Sequence, residues 1–508
     1  MPKMVDAALH APSPARAPRA LIERTFGAFA ILVAGLVVAR LALVSATPLP
    51  LSVDEAQYWV WAQSPAWGYF SKPPLIAWLI AVTTGLCGDG VACVRAAAPV
   101  LHGLTALAVF ALGAMLADRR VGWWAGICYA LLPGVGVSSF IISTDAPLLL
   151  AWTLALICLV RALGTGLWVW WAGLGLAVGV GLLAKYAMAF YVLGLVVFAG
   201  VCPQARRRLR APGPALAAAL AALVVAPNVA WNLANGWSTL RHTGDNIGLS
   251  FATFNPIGAA EFLAGQFGLM GPVLFAVFLA TAVAALGRAS RARWDEADAL
   301  LLSFSLPILA LILLEALIVR AHANWAATAY VAAVVFVCRR LLTTDGGAWL
   351  RAGLAVNFAL SAALFALVVA DGMGASPPAR LDPARKLRAW DQAGPWLRDL
   401  RHRHPGAVPL FDSRTDMAAL MHAARPDAFD AVMWNPSGGV HNHFELVTDP
   451  NDRVGGDFIY INRHGGLVGV ADLFAEAVPL AHWRASAYPG HELALHAYLL
   501  KGFKGYRR

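Results

Sequence analysis

LSVDEAQYWVWAQSPAWGYFSKPPL, Leu51 to Leu75, is the first polar stretch after the first long apolar run, and its placement decides how the rest of the chain is threaded. It holds two adjacent carboxylates, Asp54 and Glu55. It also holds the aromatics Tyr58, Trp59, Trp61, Trp67, Tyr69 and Phe70, and one lysine, Lys72, followed by Pro73 and Pro74. Aromatic rings at this density mark a membrane–water interface, where amphipathic rings sit at headgroup level. The composition agrees. Of 508 residues, 59% are hydrophobic and 13% charged, with a mean hydropathy of +0.63, whereas soluble domains are about 25% charged. The chain reads as a polytopic α-helical membrane protein. Its net charge of +10 is no argument for nucleic acid: the arginines cluster in short loops between apolar runs, the pattern that sets membrane orientation.

Outward from that stretch, residues 1–24 read as a cytoplasmic tail rich in Ala, Pro and Arg, and Phe26–Val44 as an uncleaved first crossing. The polar stretch after it is then periplasmic. The next apolar run, Pro74–Leu86, is only 13 residues, short of the roughly 20 a crossing needs. If it crossed, Asp118-Arg119-Arg120 would fall outside, so it is read as an interfacial helix in the first periplasmic loop. Further crossings are expected near 95–117, 121–138, 146–163, 167–184, 186–202, 212–231, 265–287, 298–318, 323–341 and 350–370, about eleven in all by the arginine parity. The expected division is a tail at 1–24, a transmembrane core at 25–370 and a periplasmic C-terminal α/β domain at 371–508. In that domain, apolar runs at Val408–Phe411, Ala431–Trp434 and Phe458–Ile461 alternate with helical patterns at Thr415–Ala424 and Val470–Ala477. Cys87 and Cys93 flank Gly88-Asp89-Gly90 on the oxidising side; a disulfide and two free thiols in a small-residue turn both fit.

The chemistry-bearing residues crowd the outer edge. Asp54 and Glu55 point about 100° apart if helical, so they divide roles, one facing a reacting centre and the other bracing; a helix cap is the alternative. In Tyr69-Phe70-Ser71-Lys72-Pro73-Pro74 the prolines set the direction of Lys72. A lysine there suits a phosphate, and Tyr69 adds a hydroxyl; a lysine snorkelling to the headgroups is the plainer use. Asp145, in Ser143-Thr144-Asp145-Ala146-Pro147, fits a helix cap or a third site carboxylate. Lys185-Tyr186 fits snorkelling or an anionic lipid. Arg241-His242-Thr243-Gly244-Asp245-Asn246 and Arg320-Ala321-His322-Ala323-Asn324-Trp325 are polar clusters in otherwise apolar surroundings, the first able to supply cations to a leaving phosphate. His441-Asn442-His443 lacks a third ligand for a metal and reads as a surface loop.

Taken together and in order, the Asp54-Glu55 pair after the first crossing, YFSKPPL at 69–75, STDAPLL at 143–149 and LAKY at 183–186 resemble the class C, lipid-phosphate-sugar-dependent glycosyltransferases. Within them the chain is most similar to the branch of the bacterial aminoarabinose transferases and protein O-mannosyltransferases. The resemblance implies that Asp54 faces the acceptor, that Tyr69 and Lys72 lie near the donor phosphate, and that Asp145 is the second-loop acid. Ser71 stands where the aminoarabinose enzymes carry Glu, which puts a Glu-dependent divalent metal contact and that sugar specificity in doubt.

The resemblance implies an inner-membrane enzyme that moves a sugar from a polyprenyl-phosphate carrier to a lipid A, lipopolysaccharide or other envelope lipid by one inverting displacement. The expected assignments are Asp54, Glu55 and Asp145 for catalysis, and Tyr69, Lys72, Lys185, Arg241 and His242 for the donor phosphate. A divalent metal ion is left open. The alternatives are transfer to protein hydroxyls and, from a different class, a transporter or flippase, which would be expected to show internal repeats and mid-membrane polar sites.

Overall fold

A computed structural model describes residues 19–247, 254–289, 295–319, 321–375, 387–488 and 491–506, together with 378, 380, 382, 384 and 385. The molecule is mostly helical. Among the described residues, six helices are long and apolar enough to cross a membrane: Thr25–Ala46, Val91–Leu116, Asp145–Thr165, Gly213–Ala234, Glu296–Ala316 and Gly347–Gly372. The shorter apolar helices are Leu75–Cys87, Trp168–Ala184 and Tyr186–Val201.

Several expected crossings are interrupted rather than single straight helices. Near 265–287 the chain forms Pro256–Met270 and Pro272–Arg288, bent by 109°. Gly271 sits at the corner with φ of +89°, and a Cβ there would lie 1.7 Å from the amide oxygen of Asn357. Pro272 has no backbone N–H to donate, and Asn357 Nδ2 donates to the Met270 carbonyl at 3.0 Å at the corner. Near 121–138 the helix Arg119–Ala130 ends before Pro133, and Pro133–Ser138 starts a separate short helix; the residue before a proline disfavours helical backbone.

Contacts divide the chain into two units: Met1–Ser45, Arg95–Asn235 and Thr243–Ala366 form one, and Ala46–Val94, Gly236–His242 and Leu367–Arg508 the other. The first is helical. Its helices approach on small residues, as membrane helices do without a hydrophobic drive between them: a Cβ on Gly122 would lie 2.5 Å from the Phe110 carbonyl oxygen. Its buried Asp298 is held by Arg339 at 2.5 Å and by Arg340.

The second unit contains a five-stranded mixed sheet. Its strands are β1 (Ala407–Phe411), β2 (Val432–Met433), β3 (Asp457–Asn462), β4 (Glu476–Tyr488) and β5 (His491–Lys501), in the order β2-β1-β3-β5-β4. β1 runs parallel to β2 and β3; β5 runs antiparallel to β3 and β4. The three apolar runs foreseen in the sequence fall on β1, β2 and β3, and every residue of β1 is buried, as expected of a covered parallel strand. The core gathers Val408, Leu410, Phe458, Tyr460, Phe474, Leu500 and Phe503. Val470–Ala477 is not the expected helix: a short 3-10 turn, Ala471–Leu473, leads into β4. Pairing with β5 over most of its length overrides the local helical pattern.

The same unit holds the first polar stretch. Ser52 caps the helix Val53–Ala62, and the 13-residue helix Leu75–Cys87 follows. Cys87 and Cys93 are joined as a disulfide. Within the loop it closes, Asp89 accepts from the Trp59 indole at 2.7 Å. The unit's connection to β1 is clamped by Arg388, which pairs with the buried Asp371 at 2.6 Å and Asp382 at 2.7 Å.

Candidate functional site

The candidate residues fall into two clusters, one in each unit. In the helical unit, Asp145 opens the helix Asp145–Thr165, where the N-terminal dipole favours an anion. It does not cap the helix. Its Oδ1 accepts from Lys185 Nζ at 2.7 Å, and its Oδ2 accepts from Asn324 Nδ2 at 2.8 Å. The residue is 8% exposed. Lys185 reaches it because the helix Trp168–Ala184 stops there: Lys185 is extended, and a 3-10 turn begins at Tyr186. Of the uses left open by the sequence, helix cap for Asp145 and snorkelling for Lys185, neither describes this charge-assisted pair. Tyr186 continues the polar row, donating to Asn228 at 2.7 Å and accepting from Asn232 at 3.2 Å.

Asp145 and Asn324 line a cavity of about 50 Å³ with His102, Tyr129, Ser138 and Tyr330. That volume admits a few ordered waters, at ~10–15 Å³ each. His102 is buried, with ring nitrogens 3.0 Å from the Tyr129 hydroxyl and 2.9 Å from Ser138 Oγ. Sequence reasoning passed over His102. The available signal was an ionisable side chain within an apolar span, which is costly and so draws attention to itself.

In the second unit the paired acids differ sharply. Glu55 is 1% exposed. It accepts from the Ser52 N–H at 2.9 Å while Ser52 Oγ accepts from the Glu55 N–H at 3.3 Å, a reciprocal capping box. The Asp54 side chain is 64% exposed, 3.6 Å from Arg414. Arg414 also donates to Gln57 at 3.0 Å, which ties the helix Arg414–Ala423 to Val53–Ala62.

The other candidate residues of this unit come together from distant segments. Tyr69 is buried and stacks on Trp61 with centroids 4.5 Å apart. Its hydroxyl donates to the Trp61 carbonyl at 3.1 Å and accepts from the Ala66 N–H at 3.0 Å. Burial pushes its pKa up to about 12. The hydroxyl is therefore engaged with backbone, and Tyr69 holds the turn that carries Lys72. The Lys72 carbonyl accepts from the Tyr69 N–H at 3.2 Å, and Pro73 and Pro74 are buried behind it. Thr239 donates to the Tyr69 carbonyl at 2.6 Å, and the His242 ring lies 5.2 Å from Phe70. Arg241, on the same short helix Ser238–Ile247, is exposed. His443 is no surface residue. It is buried against Trp61 and Tyr69, accepts from the Phe70 N–H at 3.4 Å, and burial lowers its pKa to about 3.

Among the described residues no three His, Cys, Asp or Glu side chains converge as a metal site. Arg320 lies outside the described residues, as do the side chains of Asp245 and Asn246.

Comparison with known proteins adds the following. Residues 71–231 match the family described as dolichyl-phosphate-mannose-protein mannosyltransferase. A lipid A galacturonosyltransferase of Rhizobium johnstonii is 36% identical over 333 residues, covering 64% of this chain and 68% of that one. The fold is shared with the crystal structure of ArnT from Cupriavidus metallidurans in the apo state, with TM-score 0.59, 15% identity, and 93% of this chain and 98% of that chain covered. The structure of the same protein bound to undecaprenyl phosphate gives TM-score 0.58 at 15% identity, covering 95% and 98%.

Proposed function

The chain belongs to the class C, lipid-phosphate-sugar-dependent glycosyltransferases, and on that premise we propose that it moves a sugar from a polyprenyl-phosphate carrier to lipid A or a related lipopolysaccharide acceptor. The reaction is placed at the periplasmic face of the bacterial inner membrane. Membership of the family sets the transporter alternative aside. The observation that carries the reading in the molecule itself is the Lys185–Asp145–Asn324 arrangement: a lysine held in place by a buried carboxylate that is itself fixed on both oxygens. Support for the acceptor comes from the 36% identical relative, whose name specifies lipid A.

The chemistry is one displacement at the anomeric carbon. An acceptor oxygen bonds to that carbon as its bond to the carrier's phosphate oxygen breaks, the configuration inverts, and the acceptor's proton passes to a carboxylate. Asp54 suits the proton: it is exposed and only loosely paired, whereas a carboxylate tied to an ammonium is the weaker base. Glu55 braces Asp54 by fixing the start of their shared helix. In the sheet-containing unit Lys72 with Arg241 and His242 suits neutralising a leaving phosphate; in the helical unit Lys185, oriented by Asp145, is the cation suited to a phosphate. Tyr69 positions Lys72 through the turn.

We place about eleven crossings in the chain and the C-terminal sheet in the periplasm, on the arginine parity. A C-terminal alkaline phosphatase fusion is then active and a fluorescent-protein fusion dark; the reverse pattern overturns the topology. For the activity, purified protein is incubated with a sugar-loaded polyprenyl phosphate and lipid A. Release of polyprenyl phosphate together with a glycosylated lipid by mass spectrometry is the expected result, and release without acceptor product refutes the acceptor. The match of residues 71–231 to a protein mannosyltransferase family favours a protein hydroxyl as second reading, so serine- and threonine-containing peptides form the competing arm.

A further inference from the structure

The sheet-containing unit has a cavity of about 280 Å³ that no role above uses, near the lower end of ligand pockets at ~300–1,000 Å³. Its polar wall comprises Asp391, His422 and Arg425, with the indole of Trp390 beside them. Leu51 and Ala56 complete the wall from either side of the Ser52–Glu55 capping box, so the helix that presents Asp54 forms one side of the cavity.

Among the described residues, Arg425 and its neighbour Arg398 lack carboxylate ion pairs. His422 Nε2 is committed to the Asp89 carbonyl at 3.0 Å. The Arg425 guanidinium donates to the His422 carbonyl and lies 6.0 Å from the Trp59 ring centre. Arg398 donates to the Ala423 carbonyl at 2.8 Å. Burial and the neighbouring Arg398 both depress the Arg425 pKa, against Asp89. A half-buried cation beside a like charge is stabilised by an incoming anion. Trp390 is buried, with the Arg463 guanidinium 4.9 Å from its ring centre, and adds apolar lining; the exposed Asp391 carboxylate accepts hydrogen bonds from hydroxyls but repels a bare anion.

We propose that this cavity is an acceptor subsite for a phosphorylated saccharide, whose phosphate pairs with Arg425 and whose hydroxyls donate to Asp391. The proposal rests on the reading of the acceptor as a lipid with a phosphorylated sugar headgroup, and it names where that headgroup is held.

The test uses the full chain in detergent and an acyl-free glucosamine disaccharide bisphosphate, with the unphosphorylated disaccharide and inorganic phosphate as separate probes. Calorimetry is expected to give the bisphosphate at least tenfold tighter binding than either alone. Arg425→Gln weakens it about tenfold or more and Arg425→Lys less, because a point charge keeps the attraction but loses the fork. Asp391→Ala, at an exposed position, weakens the disaccharide without weakening inorganic phosphate. In the transfer assay both variants raise KM for the lipid acceptor and leave KM for the donor unmoved. Thermal unfolding midpoints within about 2 °C of the parent show that the fold is intact; Asp391→Ala decides the matter if Arg425→Gln unfolds. Unchanged bisphosphate binding in both variants overturns the subsite while leaving the transfer reaction standing. Inorganic phosphate binding as tightly as the bisphosphate reduces the cavity to an anion site and overturns the saccharide part. If the parent protein transfers sugar to no lipid, the functional reading fails, and the binding measurements still decide the pocket.

Discussion

Asp145 and Asp54 are the same residue type, each near the start of a helix, and they are in opposite electrostatic states. Asp145 sits in the helical unit, almost wholly buried, with an ammonium on one oxygen and an amide on the other. Asp54 sits in the sheet-containing unit, exposed, with one arginine at 3.6 Å. The buried carboxylate has little freedom to act as a base, and its value lies in fixing Lys185. The exposed one is the base of the proposed reaction, and the neighbouring Glu55 has its own carboxylate committed to the helix cap. Two adjacent acids and a third far along the chain are thus set apart by environment rather than by chemistry, and the proposed division into base, brace and anchor rests on that difference.

The sharpest way to break this comparison is isosteric neutralisation. Asp54→Asn is expected to lower kcat by about a hundred- to ten-thousand-fold while donor binding persists. Asp145→Asn is expected to act chiefly on donor KM, through a misplaced Lys185. If Asp54→Asn turns over normally and Asp145→Asn is dead, the assignment reverses. If both are active, neither acid has a catalytic role.

Stability sharpens the same contrast. Removing one partner of a buried ion pair costs about 3–5 kcal/mol because the other charge is stranded. Lys185→Ala is therefore expected to lower the unfolding free energy by about that amount and Asp54→Ala by less than ~1 kcal/mol, as for exposed pairs. Equal effects in denaturant titrations would mean that Asp145 is not buried as described.

pH separates the units next. His443 in the sheet-containing unit is held at about 3 against an ordinary value of 6.5. Below 6.5 the unfolded chain binds a proton that the folded unit refuses. The stability present above pH 6.5 is thus lost progressively as pH falls toward 3. Thermal midpoints taken across that window should fall with acid in the parent and show a shallower slope in His443→Asn. The smallest effect belongs to the cap. Ser52→Ala should cost ~1 kcal/mol, with a loss of activity well below that of Asp54→Asn, and Glu55→Gln should behave similarly.

Much of the outline could be read from the chain because it depends on short-range pattern. An apolar run near 20 residues has few options other than a membrane helix. β1 and β3 were legible as fully apolar runs between turn signals. The break at Gly271-Pro272 was written in the sequence as a glycine–proline pair and was passed over because the flanking residues are uniformly apolar. The hairpin of β4 and β5 was missed because its strands mix alanine, histidine and charged residues with leucine, and their mutual pairing holds them extended.

By itself the sequence determined the membrane class, the crowding of charge between apolar runs, and the residue types able to handle a sugar phosphate, since hydropathy and the cost of buried charge act locally along the chain. Only the tertiary structure decided their states. Lys185 and Asn324 meet Asp145 across sequence separations of 40 and 179 residues, and Thr239 reaches Tyr69 across 170. Tyr69 turned its hydroxyl inward, Glu55 closed a cap and His443 went beneath the Phe70 turn because each polar group, once buried, had to find its hydrogen bond among whatever the fold brought near. Those partners are set by packing between distant segments, and no local pattern carries them.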